Sequence, residues 1–339
     1  MVDLTYFRDM KLLYTLGDEK CNIKFTYPRA ITTDSQGNIY IVDSFKDKIY
    51  QFNKYCIFIK AFGSSGSGQG QLINPTDISK FPNDYLIIAD NGNKRLQVYS
   101  PRGHFTGIFP TRSKPLHVMC DSKFNVAVAT VDFVVEVYDK DQRFVSEFQY
   151  NKPFTTAMPP VGRPAVLLHD GKIVICDPSS NQVRVFNLGG EFQHEFVLQS
   201  GDEGLAMESK GVLIDCKGRL VIIDSLNHTV NMYNFSGDLL DRALYPPDQL
   251  GAAQSCTITP EGHLGIVEFS LSAPHTVKIF RYEQCTCHVV DKGRVRNKQS
   301  AKNSSRGSKT PQRSSCLRLP EKHRISPPES AIDLTLRHP

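Results

Sequence analysis

Along the first 280 residues, short apolar runs come in couples separated by a few polar positions. IYIVD leads to KIYQF (Ile39 to Phe52), LIIAD to RLQVY (Leu86 to Tyr99), IVICD to QVRVF (Ile173 to Phe186) and LVIID to TVNMY (Leu220 to Tyr233). Runs of this length, rich in β-branched and aromatic residues and bounded by Gly, Asn, Asp and Pro, predict strands rather than helices. Two looser copies complete the series. VAVATVDFVVEVY (Val126 to Tyr138) has Ala129 where the others have Asp, and LGIVEFSLSAPHTVKIF (Leu264 to Phe280) has Glu268 there and extra loop residues. A third strand precedes each couple, as in the AITTD that follows Pro28 and turns at Ser35-Gln36-Gly37-Asn38. A fourth follows it: CIFIKAF from Cys56, HFTGIF from His104, RFVSEF from Arg143, EFQHEF from Glu191 and DLLDRAL from Asp238.

The closing aromatics Phe52, Tyr99, Tyr138, Phe186, Tyr233 and Phe280 stand 47, 39, 48, 47 and 47 residues apart. A four-stranded unit of this length leaves an apolar face uncovered, so neighbouring units must stack on one another. The expected fold is all-β, a six-bladed β-propeller. The sixth unit lacks a convincing fourth strand after Phe280, whereas KLLYTLG at Lys11 to Gly17 repeats the pattern of the first unit's fourth strand, with Leu12, Leu16 and Gly17 matching Phe58, Phe62 and Gly63. The N-terminal strand is therefore expected to complete the last blade and close the ring, which removes free sheet edges at the join. The alternative donor of that strand is Cys285 to Val290.

Composition divides the chain at the end of the repeats. Residues 1–288 are expected to form the propeller and 289–339 a disordered basic tail, because the tail holds Ser, Lys, Arg and Pro with almost no aromatics. From Asp291 onward there are 12 Lys and Arg against 4 Asp and Glu, which leaves 28 against 31 in the rest, so the net charge of +5 belongs to the tail. No stretch approaches the roughly 20 apolar residues that cross a bilayer, and Met1-Val2-Asp3 starts no secretory leader. A cytoplasmic, reduced setting follows, with the nine cysteines acting mostly as small apolar residues rather than as a disulfide framework. The tail's Ser304, Ser305, Thr310-Pro311, Ser314, Ser315 and Ser326-Pro327 are candidate phosphorylation sites that would cancel its charge.

The phrases PRAITTDSQGNIYIVD…KIYQF and NPTDISKFPNDYLIIADNGNKRLQVYSPRGHF resemble NHL repeats, with a Pro before the inner strand, a Gly or Asn turn, an Asp ending the second strand and a Gln-Val-Phe-like third strand. The resemblance covers about residues 28 to 283, and the nearest pattern is the C-terminal propeller of TRIM-NHL and related ubiquitin-ligase proteins. It implies a six-bladed NHL propeller that recognises a protein substrate or an RNA. The chain departs from those proteins in having no RING-like series of Cys-x-x-Cys and His pairs, so any part in ubiquitin transfer would be as a recognition subunit.

The four hairpin aspartates Asp43, Asp90, Asp177 and Asp224 are expected to accept hydrogen bonds from backbone N–H groups of the loops that follow them, the local bonding that suits Asp to turns. A metal-dependent lyase or hydrolase would need converging ligands at the starts of the inner strands. Those positions hold Ala30, Asp77, His117, Val166, Gly211 and Thr257, and one Asp with one His falls short of the three protein ligands of a catalytic metal site. Cys285-Thr-Cys287-His288 lacks a second half, and the glycines between Gly63 and Gly70 lack the Lys-Ser/Thr of a phosphate loop. No cofactor, metal or catalytic residue is implied.

In a four-stranded blade, the loop between strands two and three and the link to the next blade emerge on the same face. That rule gathers Arg29, Lys46, Lys48, Lys94, Arg95, Arg112, Lys114, Lys152 and Arg163 over the first four blades, interspersed with Asp43, Asp47, Asp90 and Asp132, and puts Asp202, Glu203, Glu208 and Asp248 over the last two. The expected function is non-catalytic recognition of a protein partner through this half-cationic face, in ubiquitin-dependent turnover. Sequence-selective binding of single-stranded RNA is the alternative, for which Phe45 and Phe133 are the candidate stacking residues. A metal-dependent propeller enzyme is the third reading.

Overall fold

A computed structural model describes residues 8–18, 21–150, 164–177, 181–198, 209–244, 252–270 and 274–282, all inside the compact unit Met1–Asp291. These residues form six antiparallel sheets arranged as the blades of a propeller. Blade one consists of Pro28–Thr33, Ile39–Asp43, Lys48–Phe52 and Phe58–Phe62. Blade two is Pro75–Phe81, Tyr85–Asp90, Arg95–Tyr99 and Phe105–Pro110. Blade three is Pro115–Cys120, Val126–Thr130, Val134–Tyr138 and Phe144–Gln149. Blade four is Ala165–His169, Lys172–Asp177, Gln182–Asn187 and Phe192–Val197. Blade five is Ser209–Ile214, Leu220–Asp224, Thr229–Tyr233 and Leu239–Leu244. Blade six begins with Ala252–Ile258, His263–Phe269 and Thr276–Arg281.

The missing fourth strand of blade six is Lys11–Leu16, which pairs antiparallel with Thr276–Arg281. Leu12 sits opposite Phe280 and Leu16 opposite Val277, as Phe58 sits opposite Phe52 and Phe62 opposite Ile49 in blade one. Just before it, Arg8–Asp9 adds a parallel fifth strand to the outer edge of blade five. Met10, between the two, is buried in the core shared by blades five and six. One N-terminal segment therefore fastens two blades and closes the ring.

The second strand of each blade is buried on both faces because each face meets a different neighbour. Ile39 and Ile41 enter the core shared with blade six, while Tyr40 and Val42 enter the core shared with blade two. Period-two side-chain alternation thus supplies two seams from one apolar run. The closing aromatics explain why the period is legible: Phe52, Tyr99, Tyr138, Phe186, Tyr233 and Phe280 each fill the seam with the preceding blade.

The inner strands carry a second regularity. Blades one, two, three, five and six show a register shift where the inner strand begins, pairing Pro28 with Asp43 and then Ala30 with Val42, or Pro75 with Asp90 and then Asp77 with Ala89. The skipped residue is bulged, and a bulge re-aims its side chain. Arg29 in blade one and Thr76 in blade two are such residues.

Candidate recognition face

Each blade runs from the central channel outward, so the loops between strands two and three share one face with the inter-blade links. The carboxylates that end the second strands organise this face. Asp43, fully buried, accepts hydrogen bonds from the N–H groups of Thr26 (2.7 Å) and Tyr27 (3.0 Å) in the incoming link. Asp90 accepts from Ile73 N–H (2.8 Å) at the matching point before blade two, and also from Asn93, Arg95 and Gln97. Asp224 accepts from the N–H groups of Leu226 and Asn227, at 3.1 and 3.3 Å. Asp177 is buried at the end of its strand, opposite Gln182. The expected bonding to backbone N–H groups of the following loop is present at Asp224 and, from Lys46 at 3.4 Å, at Asp43, and Asp43 and Asp90 also clamp the link that enters their blade.

Blade three solves the same problem with a residue that sequence reasoning missed. Thr130, rather than the Ala129 expected from sequence, stands where the Asp should be, opposite Pro115 as Asp90 is opposite Pro75, and Glu136, two residues before the closing Tyr138, turns its carboxylate to the link instead. It accepts from Arg112 N–H at 3.2 Å, Ser113 N–H at 3.1 Å and the Tyr138 hydroxyl at 2.5 Å. An acidic side chain on an otherwise apolar strand was the available signal, because a buried carboxylate must find donors.

The cations expected on the face are placed as follows. Arg95 is turned into its own blade: its Nε lies 2.8 Å from Asp90 Oδ2, and its terminal nitrogen donates to the carbonyls of Gly68 and Gln71. Arg112 lies over the Phe144 ring, 3.7 Å from its centre, and pairs with Glu147 at 2.8 Å on the rim of blade three. Lys46 donates to the Lys24 carbonyl and lies near the Tyr50 ring. Lys48, Lys94 and Lys114 are exposed. Asp47 accepts from Asn74 N–H and Asp132 from the Ser113 hydroxyl. Lys152, Arg163, Asp202, Glu203, Glu208, Asp248, Cys285, Cys287, His288 and the tail lie outside the described residues.

Arg29 is half-buried at its bulge, with its guanidinium carbon 5.5 Å from the centre of the Tyr27 ring. Burial lowers its pKa, opposed by the negative charge of Asp77. Its Nε is buried without a hydrogen-bond partner. Tyr27 belongs to a row that crosses the seam between blades six and one. Phe45 packs on one side of it at 5.1 Å and Phe269 on the other at 5.4 Å, and His275 stacks on Phe269 at 4.7 Å. Of the two aromatics expected to stack, Phe45 heads this row, and Phe133 packs against Tyr150.

The same face exposes apolar side chains at its loop tips, two residues beyond the carboxylate in blades one and five and one residue beyond Thr130 in blade three. Phe45 is 71% exposed, Leu226 55% and Val131 38%, with Ile73 in the adjoining link also exposed. Behind the face a channel of about 560 Å³ runs between the inner strands. His117 Nδ1 lies 3.2 Å from Asp77 Oδ2, which also accepts from Val118 N–H. Both residues line the channel, with Met119, Leu167 and Cys256 deeper in. No group of three His, Cys, Asp or Glu among the described residues is arranged to hold a metal ion, and none of their helices is long and apolar enough to cross a membrane.

Comparison with known proteins gives the class and then the relatives. Superposition on solved structures shows the propeller fold alone: a streptogramin B lyase (12% identity, TM-score 0.56, 81% of this chain and 97% of that one), the WD40 propeller domain of Doa1 (12%, 0.55, 81% and 97%) and a luciferin-regenerating enzyme (10%, 0.58, 80% and 97%). In sequence, the chain is 43% identical over 47 residues to the E3 ubiquitin-protein ligase TRIM71 of Rattus norvegicus, and 25% identical over 182 residues to the Protein brain tumor of Drosophila melanogaster. Those stretches are 14% and 53% of this chain and only 6% and 13% of the relatives. No protein-family profile matches the chain. The chain thus resembles TRIM-NHL proteins, and its six blades fit an NHL-type propeller.

Proposed function

We propose that this chain is a non-catalytic recognition module that grips a protein partner with the loop face, acting in the cytoplasm as the substrate-recognition component of ubiquitin-dependent turnover. Residues 1–288 supply the propeller and 289–339 a basic tail. The observation that carries the reading is the set of apolar loop tips Phe45, Val131 and Leu226, exposed on one face. Apolar anchors that a partner can desolvate carry most of the energy of a protein interface, and exposed charges around them chiefly set approach and register. Lys48, Lys94 and Lys114 fit that role, with Lys152 and Arg163 assigned to the same face from sequence. Two arginines that would have favoured a phosphate backbone, Arg95 and Arg112, are engaged by Asp90 and Glu147. Similarity to the E3 ubiquitin-protein ligase TRIM71 supports the link to ubiquitin.

Binding of single-stranded RNA is the second reading, favoured by the row Phe45–Tyr27–Phe269–His275 beside Arg29, because bases stack on such rings. The two readings separate in one experiment. Full-length wild type and a Phe45→Glu/Leu226→Glu variant are compared by quantitative co-purification and by anisotropy against a random single-stranded RNA pool across a salt series. The proposal requires specific proteins that the variant loses and only motif-free, strongly salt-dependent RNA binding. A motif bound at sub-micromolar affinity would replace it with the RNA reading.

A further inference from the structure

Arg29 differs from the other described arginines of the loop face. Among the described residues its guanidinium makes no hydrogen bond and no ion pair, and its Nε is buried with no partner. The other described arginines of the face do not behave this way. Arg95 has three acceptors and Arg112 has Glu147. The position itself does not require an open donor either, since Thr76 at the equivalent bulge donates its hydroxyl to the carbonyls of Pro115 and Leu116 in the next blade. Leaving a guanidinium partly desolvated and unpaired costs stability, and burial depresses its pKa accordingly. Asp77, the carboxylate whose charge opposes that shift, spends its Oδ2 on His117 and on Val118 N–H.

We propose that Arg29 is the anchor of an oxyanion site on the loop face, built to take a carboxylate or phosphate group carried by an extended protein segment. This deepens, and rests on, the protein-recognition reading. The Tyr27 ring holds the guanidinium from one side, which fixes its planar fork before the ligand arrives. A fork so placed pairs with two oxygens at once. Phe45, packed on Tyr27 and largely exposed, offers the apolar contact for the residue beside the acidic one. The ligand is thus an acidic or phosphorylated residue next to an apolar one, and it repays a desolvation cost already met in the free protein.

The test is peptide display on the full-length protein, with binders then measured on wild type, Arg29→Met and Phe45→Glu, each also melted thermally. The selected peptides should share an Asp or Glu beside an apolar residue. Arg29→Met should weaken them at least 10-fold while leaving the melting temperature unchanged or higher, because an unpaired charge is removed. A structural role for Arg29 would lower it. Phosphoserine in place of the acidic residue, with inorganic phosphate as competitor, tells the two oxyanion sources apart. Peptides without an acidic position that Phe45→Glu abolishes and Arg29→Met leaves intact would overturn the oxyanion site but not the recognition face. Failure of both variants to change binding would overturn both.

Discussion

Glu136 accepts a hydrogen bond from the backbone N–H of Ser113 at 3.1 Å, and so does in blade three what Asp43 does for Tyr27 in blade one. The two carboxylates start from different strands and reach the same element, the link that enters the blade. Replacing Glu136 with Ala should strand two link N–H groups and the Tyr138 hydroxyl, at a cost of about 2–4 kcal/mol. Restoring the blade-two arrangement with Thr130→Asp and Glu136→Gln should recover most of that loss, since Asp90 and Gln97 already work as such a pair. Urea unfolding measures both, and a loss below about 0.5 kcal/mol in the alanine variant would show that the link holds without its clamp.

Arg95 is a structural arginine. Its side chain is 13% exposed and its partner Asp90 fully buried, so Arg95→Ala leaves a buried carboxylate without its cation and should destabilise by about 2–4 kcal/mol. Arg95→Lys should recover little of this, because one ammonium cannot serve Asp90 and the Gly68 and Gln71 carbonyls in the geometry of a guanidinium. Chemical denaturation decides it, and a lysine variant as stable as wild type would refute the assignment.

Burial pushes the thiols of Cys56, Cys120 and Cys256 up to about 12 from an ordinary 9.0, and that of Cys176 up as well. A group whose folded pKa is raised contributes stability that is complete below its unfolded pKa and disappears as pH climbs through the folded one, so alkaline destabilisation should set in between about 9 and about 12. At pH 8 these four thiols should resist iodoacetamide in the native protein, while exposed Cys216 reacts quickly. Mass spectrometry of the labelled peptides reads the order directly, and early labelling of the fully buried Cys176 would contradict its place in the core.

Removing residues 1–16 takes away the outer strand of blade six, the parallel strand on blade five and the buried Met10 and Leu16. The melting temperature should fall by roughly 10 °C or more, as the loss of several kcal/mol implies for a domain of this size. A truncated protein that melts with the wild type would mean that the ring needs no clasp.

Much of this fold could be read directly from the chain. The doubly buried second strands, the seam-filling aromatics and the match of Leu12, Leu16 and Gly17 to Phe58, Phe62 and Gly63 all repeat in sequence what repeats in space, and the closing strand lies in the predicted register. The site was less legible, because its chemistry sits where blades meet rather than inside one repeat. Tyr27 meets Phe269 only because the ring brings the two ends of the propeller together. The bulge that lifts Arg29 onto the face leaves no mark in composition. A lysine or arginine in a loop looks equally free whether it stays so, as Lys94 does, or folds back on an aspartate, as Arg95 does. Glu136 was hidden for a related reason: it replaces a missing aspartate from the neighbouring strand, which no alignment of one repeat on another reveals.

The central claim is that partners are held by the loop face, and hydrogen exchange on the full-length protein tests it most directly. The exchange of backbone amides is followed by mass spectrometry with and without the partner recovered by co-purification. The account predicts slower exchange in the segments carrying Tyr27 and Arg29, Ser44 to Lys48, Asn91 to Arg95 and Ser225 to His228. Protection confined instead to the opposite turns, at Asp34 to Asn38, Asp121 to Asn125 and Asp215 to Arg219, would contradict it.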